Sequence, residues 1–335
     1  MDESLAVGRA PFVARRPGSD PVEPILATRA RSADFGVLAP LIADSRVTDV
    51  FVNGPREVWV DRGAGPERQE LSFEVSDLRE LAVRLVAAGG RHIDEANPCV
   101  DARLHDGVRV HAVLSPISPC GTLLSIRLPH ATPFSLAELE LAGFFETVPV
   151  DVVAALIARR ANVLITGAGG SGKTTLLSAM LGSADPAERI VAIEDVAELR
   201  PRHPHFIALE ARQANLEGAG GLGLARLLRE ALRMRPDRLV LGECRGEEIR
   251  ELLAALNTGH DGGAGTLHAN SLHDVPARLE ALGALAGLTP QAIARQAVSA
   301  IGAVLHLQRV DGVRRLEQVG ALALDAQGVL VVVPS

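Results

Sequence analysis

Residues 167–174, Gly167-Ala168-Gly169-Gly170-Ser171-Gly172-Lys173-Thr174, constrain this chain more than any other stretch of it. They fit the pattern G-x-x-x-x-G-K-[ST]. A short apolar run, 162–166, predicts a strand before the loop, and 174–181 predicts a helix after it. In that context the small residues Gly167, Ala168, Gly169, Gly170, Ser171 and Gly172 let backbone N–H groups converge on phosphate oxygens without side-chain clash. The following helix adds partial positive charge at its N-terminus. Lys173 is placed to reach the β- and γ-phosphates of ATP, and the Thr174 hydroxyl to ligate Mg²⁺, with Thr175 completing the nucleotide-binding set. Lys173 is the single lysine among 34 basic residues. A compact, flexible ammonium is kept only where a planar guanidinium would not fit.

The remaining composition sets the frame. A chain of 335 residues, 47% apolar, has the length and the hydrophobic content for about two domains. Net charge is −7, which argues against a non-specific nucleic-acid binder. Cys99, Cys120 and Cys244 are too few and too scattered for a disulfide framework or a zinc site. No apolar run reaches the roughly 18 residues a bilayer span requires, and the N-terminus does not read as a signal peptide.

Residues 1–34 read as a flexible tail and 35–128 as an N-terminal α+β domain. That domain shows a strand–turn–strand at 50–61 and a helix with the stripe Leu78, Leu81, Ala82, Leu85 and Val86. Asp77 and Glu80 are a candidate capping pair. A hairpin turning at Asp106-Gly107 and a strand over 122–128 follow. Prolines 129, 133 and 149 place the linker at 129–150, with a short helix near 136–141. From 151 to 335 strands and helices alternate, which predicts an α/β domain on a mostly parallel sheet. It ends in a hairpin at Asp311-Gly312 and a last strand.

Phosphoryl transfer to water needs carboxylates near the metal and the attacking water. Two apolar runs end in acids, 190–193 at Glu194-Asp195 and 239–242 at Glu243. Both are expected at the C-terminal ends of strands adjacent to the phosphate loop. The Gly-rich stretch 258–270 contains His260 and His268. It reads as a strand and loop beside Glu243, where His268 meets either phosphate or the catalytic carboxylate. Arg103, Arg109 and Arg127 lie on strands of the first domain, and an arginine from a second domain or subunit can stabilise γ-phosphate charge. With a turn at 106–107, Arg103 and Arg109 would face opposite ways. Arg226, Arg229 and Arg233 form a stripe opposite the leucines of a helix. Arg235 and Arg238 flank the start of the strand that ends at Glu243.

Taken together, Glu194–Leu199, Met234–Glu247, Asn257–Gly262 and Thr266–Ser271 resemble the Asp box, Walker B segment and His box of the type II/type IV secretion ATPases. The similarity is greatest to the CpaF/TadA branch that drives Tad (Flp) pili. Thr48–Pro55 and Val100–Val110 resemble the same branch, and the likeness covers about 38–310. It implies a RecA-like P-loop domain behind a smaller N-terminal domain. It also implies ATP and Mg²⁺ as cofactors, a homohexameric ring, and docking on an inner-membrane platform protein from the cytoplasmic side. By position, Glu194 matches the glutamate that polarises water, Glu243 the Walker B glutamate of the Mg²⁺ shell, and His268 the His-box histidine. Arg103, Arg109 and Arg127 match first-domain arginines that approach nucleotide. Ala192 and the pair Gly263-Ala264 depart from the family pattern. The alternative reading is a RecA-like nucleic-acid translocase, against which the acidic charge and the scarcity of stacking aromatics tell.

Overall fold

A computed structural model of the chain describes residues 34–63, 65–104, 107–128, 133–212, 220–310 and 312–335. The predicted tail over 1–34 lies almost wholly outside these residues, as do Asp106 and Asp311 of the two predicted turns. The chain divides into two compact units, Met1–Ala131 and Thr132–Ser335.

The first unit is built on six antiparallel strands: β1 (Asp49–Val52), β2 (Val58–Asp61), β3 (Pro66–Gln69), β4 (Cys99–Arg103), β5 (Arg109–Val113) and β6 (Leu123–Arg127). Their order is β3-β2-β1-β6-β5-β4. Alternate residues (Val50, Val52, Val58, Val60, Val100, Ala102, Val110, Ala112, Leu124, Ile126) are buried on one face, as period-2 patterning requires. A short α1 (Ala39–Ala43) precedes the sheet, and α2 (Val75–Ala88) lies between β3 and β4 in sequence. The α2 stripe Leu78, Leu81, Ala82, Leu85 and Val86 is buried in the same core. The predicted Asp77–Glu80 capping pair does not form. The helix begins three residues earlier, with Glu74 at the N-cap position and no side-chain cap, leaving Asp77 in the first turn. There its charge meets the positive end of the helix dipole.

The predicted opposition of Arg103 and Arg109 is also overturned. Leu104 N–H donates to Val108 O, so the register is one residue out of step with a two-residue turn. Arg103 pairs directly with Arg109, Arg109 with Arg127, and Arg127 with Asp49. Directly opposed residues of antiparallel strands share a face. The three arginines therefore form one row across β4, β5 and β6, on the face away from the apolar core.

The second unit carries an eight-stranded sheet in the order β14-β13-β12-β7-β11-β10-β8-β9. Its parallel part comprises β7 (Val163–Gly167), β8 (Ile190–Glu194), β9 (Phe206–Glu210), β10 (Arg238–Cys244), β11 (Ala264–His268) and β12 (Ala303–Val310). The antiparallel strands β13 (Val313–Leu324) and β14 (Leu330–Pro334) extend one side. Every residue of β7 and β8 is buried, as expected for parallel strands covered on both faces. One face packs on α6 (Leu224–Ala231), α7 (Glu248–Leu256), α8 (Val275–Leu285) and α9 (Pro290–Ala300). The other packs on α3 (Leu136–Leu141), α4 (Val150–Ala158) and α5 (Lys173–Gly182). Leu139, Phe144 and Phe145 belong to that second core.

The amino-terminal ends of these strands are tied by a buried ion cluster. Arg238, 6% exposed, donates from Nε to Glu188 at 2.5 Å. It also donates to the carbonyl of Ile157 at 3.1 Å. Glu188 accepts from Arg160 as well, at 2.6 Å. Removing the carboxylate would strand two guanidiniums, one of them buried. Glu188→Ala is expected to destabilise the protein by about 3 kcal/mol, measured by denaturant unfolding. Loss below about 1 kcal/mol would show the cluster to be a surface pair in its energetics.

Candidate functional site

The carboxyl ends of four parallel strands bring the sequence-predicted groups of the second unit together. β7 runs into the glycine loop. Gly167 has φ +149, and a Cβ there would lie 2.5 Å from the Leu307 carbonyl oxygen, so only glycine fits. Gly172 (φ +101) stands in the left-handed region at the N-cap of α5. Lys173 is 7% exposed, and its Nζ donates to the carbonyls of Gly167 at 3.0 Å and Ala168 at 2.9 Å. Burial pushes its pKa down, against the opposing charge of Glu243.

The sheet neighbours of β7 are β12 and β11, neither of them an acid-bearing strand. His268 at the end of β11 is in register with Gly167. Both acids are expected from the sequence at the carboxyl ends of strands adjacent to the phosphate loop; they do lie at carboxyl ends, but Glu243 is on the second strand from β7 and Glu194 on the third. His268 spans the gap. Its Nδ1 lies 3.5 Å from Lys173 Nζ and its Nε2 2.5 Å from Glu243 Oε1. His268 thus lies at ion-pair distance from the Glu243 carboxylate, whose Oε1 has no hydrogen-bond partner of good geometry among the described residues. Burial, then the charge of Lys173, lowers the His268 pKa, while Glu243 opposes them. The imidazole is therefore held towards its neutral form.

The β10–β11 ladder shifts register between Leu241 and Cys244. An irregularity of this kind re-aims a side chain, and Glu243 sits in it. Three residues missed in the sequence fix it there. Arg245 pairs with the other Glu243 oxygen. Glu248, 6% exposed, accepts from the backbone N–H of Arg245 at 2.6 Å and of Gly246 at 2.8 Å. Thr266 Oγ1 donates to the Gly242 carbonyl at 2.6 Å. Local spacing offers some signal for Arg245, two residues beyond the acid, but none for the others.

Glu194 is 4% exposed. Its carboxylate accepts from Glu198 N–H at 3.0 Å and Leu199 N–H at 3.2 Å, so it orders the loop that follows. Gly242 makes room for it, because a Cβ there would lie 2.5 Å from Glu194 Cγ. Both glutamates thus have fixed carboxylates on the same strand edge.

Beneath the loop lies His306, fully buried on β12, with Nδ1 2.9 Å from the Thr166 hydroxyl. It sits in an apolar run, and nothing in its spacing singles it out. The Ser171 hydroxyl, within the loop itself, is buried and has no hydrogen-bond partner among the described residues. An orphaned hydroxyl, a buried ammonium and glycines in left-handed conformations are what a phosphate cradle holds ready. The residues present therefore fit a Mg²⁺-nucleotide. Arg226, Arg229 and Arg233 stay on the exposed side of α6 and its continuation, where Arg229 pairs with Glu251 at 3.0 Å and Arg233 with Glu230 at 3.5 Å. Arg103, Arg109 and Arg127 belong to the first unit.

Fold and site define a RecA-like P-loop unit that follows a smaller α+β unit in the sequence. The family described as "Type II/IV secretion system protein" matches residues 31–318. A putative conjugal transfer protein of Mycobacterium tuberculosis is 49% identical over 295 residues, covering 86% of this chain and 84% of that protein. The type IV secretion system protein PtlH of Bordetella pertussis is 34% identical over 274 residues, covering 72% and 79%. Among solved structures, the Legionella pneumophila ATPase DotB aligns over 89% of this chain and 78% of its own, with TM-score 0.55 at 18% identity. The pilus retraction motor PilT with bound ADP aligns over 92% and 81%, with TM-score 0.55 at 20% identity. The chain belongs to the type II/IV secretion system protein family.

The His306 environment makes a pH prediction. Burial lowers its pKa from 6.5, against the Asn270 backbone and the Asp274 charge, which favour protonation. The unfolded chain therefore takes up the proton first, and stability falls as pH drops through 6.5 towards the lowered value. The slope is at most about 1.4 kcal/mol per pH unit. Unfolding measured between pH 7.5 and 5.5 should show a smaller loss for His306→Gln than for wild type. Equal slopes would place the proton uptake elsewhere.

Proposed function

We propose that this chain hydrolyses ATP and couples the reaction to movement in a secretion or pilus-assembly system. The observation that carries the reading is the convergence of Lys173, His268, Glu243 and Glu194 on one edge of the parallel sheet, around a loop with the geometry of a phosphate cradle. The family and the ATPases of similar fold support it.

In this reading the glycine loop, residues 167–172 with Thr174 and Thr175, wraps the phosphates. The Lys173 ammonium turns from two backbone carbonyls to phosphate oxygens, a favourable exchange for a charge held in a buried site. Thr174 and Glu243 would hold Mg²⁺, which when bound neutralises developing charge on the phosphates. Glu194 takes a proton from the attacking water. Its two backbone donors keep the carboxylate oriented, and little solvent competes at 4% exposure. His268, as a neutral imidazole, holds the Glu243 carboxylate at a fixed distance from Lys173 and so keeps acid and ammonium from collapsing onto each other. Arg103, Arg109 and Arg127 are assigned to γ-phosphate charge. Their single row places all three on one face of the first unit's sheet, where Arg127 lies 3.6 Å from Asp49.

We assign the chain further to a homohexameric ring of the CpaF/TadA type, working on the inner face of the cytoplasmic membrane against a platform protein of a Tad/Flp-type pilus, with no direct nucleic-acid partner. The resemblance of the boxed motifs supports this. No helix among the described residues is long and apolar enough to cross a membrane.

Lys173→Ala is expected to abolish binding of labelled ATP. Glu194→Gln and Glu243→Gln should retain binding but lower phosphate release by about a hundredfold or more. Unchanged turnover in both glutamine variants would exclude the hydrolytic assignment. Native mass with a non-hydrolysable ATP analogue tests the ring, and a species no larger than a dimer would exclude it.

A further inference from the structure

The tip of the glycine loop is held from outside by the C-terminal hairpin, which the P-loop motif does not include. Arg314 on β13 donates from Nε to the Gly170 carbonyl at 2.9 Å, across 144 residues of chain. Gly170 has φ +71, in the left-handed region, and a Cβ there would meet nothing within 4 Å. The stem of the same arginine lies against the next glycine, Gly172. A Cβ on Gly172 would meet Arg314 Cδ at 3.4 Å and the Phe144 ring at 3.5 Å. One side chain thus touches the loop at two glycines, the second immediately before Lys173. The strand that carries it is anchored in turn. Leu316 N–H donates to the Phe144 carbonyl at 2.9 Å. Arg315 pairs with Glu146 at 2.8 Å, and Thr147 Oγ1 donates to Glu317 at 3.2 Å. β13 and residues 144–147 therefore form a brace with Arg314 at its point of contact with the loop.

We infer that Arg314 is a positioning residue of the phosphate loop and sets the affinity for the nucleotide. The inference rests on the ATP reading above. The physical reason is conformational entropy. A loop whose glycines visit both signs of φ is costly to order on a ligand. A charge-assisted hydrogen bond to a carbonyl at its tip restricts those states before the ligand arrives. The guanidinium also puts a positive charge beside the loop. Contact and charge make different predictions, and Arg309 separates them. It faces Arg314 directly across the β12–β13 ladder and donates to the Gly312 carbonyl at 3.0 Å rather than to the loop.

Binding of a fluorescent ATP analogue with Mg²⁺, turnover at saturation and melting temperature would be measured on the full chain. Arg314→Ala is expected to raise Kd about tenfold, the loss of one hydrogen bond to a charged group. Turnover at saturation should stay within about twofold, because the contact acts before chemistry. Arg309→Ala, which removes the same charge from the same hairpin, should change Kd by less than about twofold at 0.15 M salt. Arg314→Lys keeps the charge without the planar fork and should remain weakened. Kd equal to wild type in Arg314→Ala would overturn the inference, as would equal weakening in Arg309→Ala or full recovery in Arg314→Lys. Should Arg314→Ala fail to fold, Arg314→Met keeps an unbranched stem against Gly172 but has no N–H for the Gly170 carbonyl, and an unchanged Kd there overturns the inference. A wild-type chain that bound no nucleotide would remove the ATP reading itself, and this inference with it.

Discussion

A buried ammonium held by two main-chain carbonyls, with a histidine nitrogen at 3.5 Å, organises the second unit. Lys173 has left most of its water, and the two carbonyls it holds carry no net charge. Charged groups are tolerated in such places when paired. Here the Glu243 carboxylate, whose charge acts on Lys173, is contacted by His268 on one oxygen and by Arg245 on the other. The site is therefore electrostatically incomplete in a directed way. It favours an anion at the loop and disfavours collapse of the lysine onto the acid. Much of the second unit serves this arrangement: parallel strands that end level with one another, a register shift that re-aims Glu243, and a glycine opposite Glu194.

The supporting residues share one feature. Glu248 caps the backbone after β10, Thr266 holds the Gly242 carbonyl, Glu194 orders the loop beyond β8, and Arg314 holds Gly170. Each joins a side chain to the main chain of a segment distant or irregular enough to lack ladder bonds of its own. Backbone groups at strand ends need such partners. In supplying them the fold also limits the loop conformations a ligand would otherwise have to order.

Local pattern revealed a good part of this. The loop and its flanking strand and helix were legible because strand–glycine–helix is a contiguous feature. The α2 stripe, the short helix at 136–141 and the apolar runs before Glu194 and Glu243 were legible because helical and strand periods act over neighbouring residues. β9 and β3 went unseen. Phe206–Glu210 is only half-buried and shows little alternation, and Pro66–Gln69 is a polar edge strand that begins with proline, as edges tolerate.

What the sequence by itself determined is the chemistry available: one lysine in a phosphate loop, two glutamates after apolar runs, a histidine in a glycine-rich segment and arginines on first-unit strands. Only the tertiary structure decided who stands next to whom. Strand order put His268 between the lysine and the glutamate, because sheet neighbours are chosen by packing across the chain rather than by adjacency along it. A one-residue difference in a turn set Arg103 beside Arg109 instead of back to back, because side-chain facing in a sheet has period two and reverses with every slip. Arg314 and His306 reach the loop from β13 and β12 through contacts 140 or more residues apart. No local window of sequence contains both ends of such a contact.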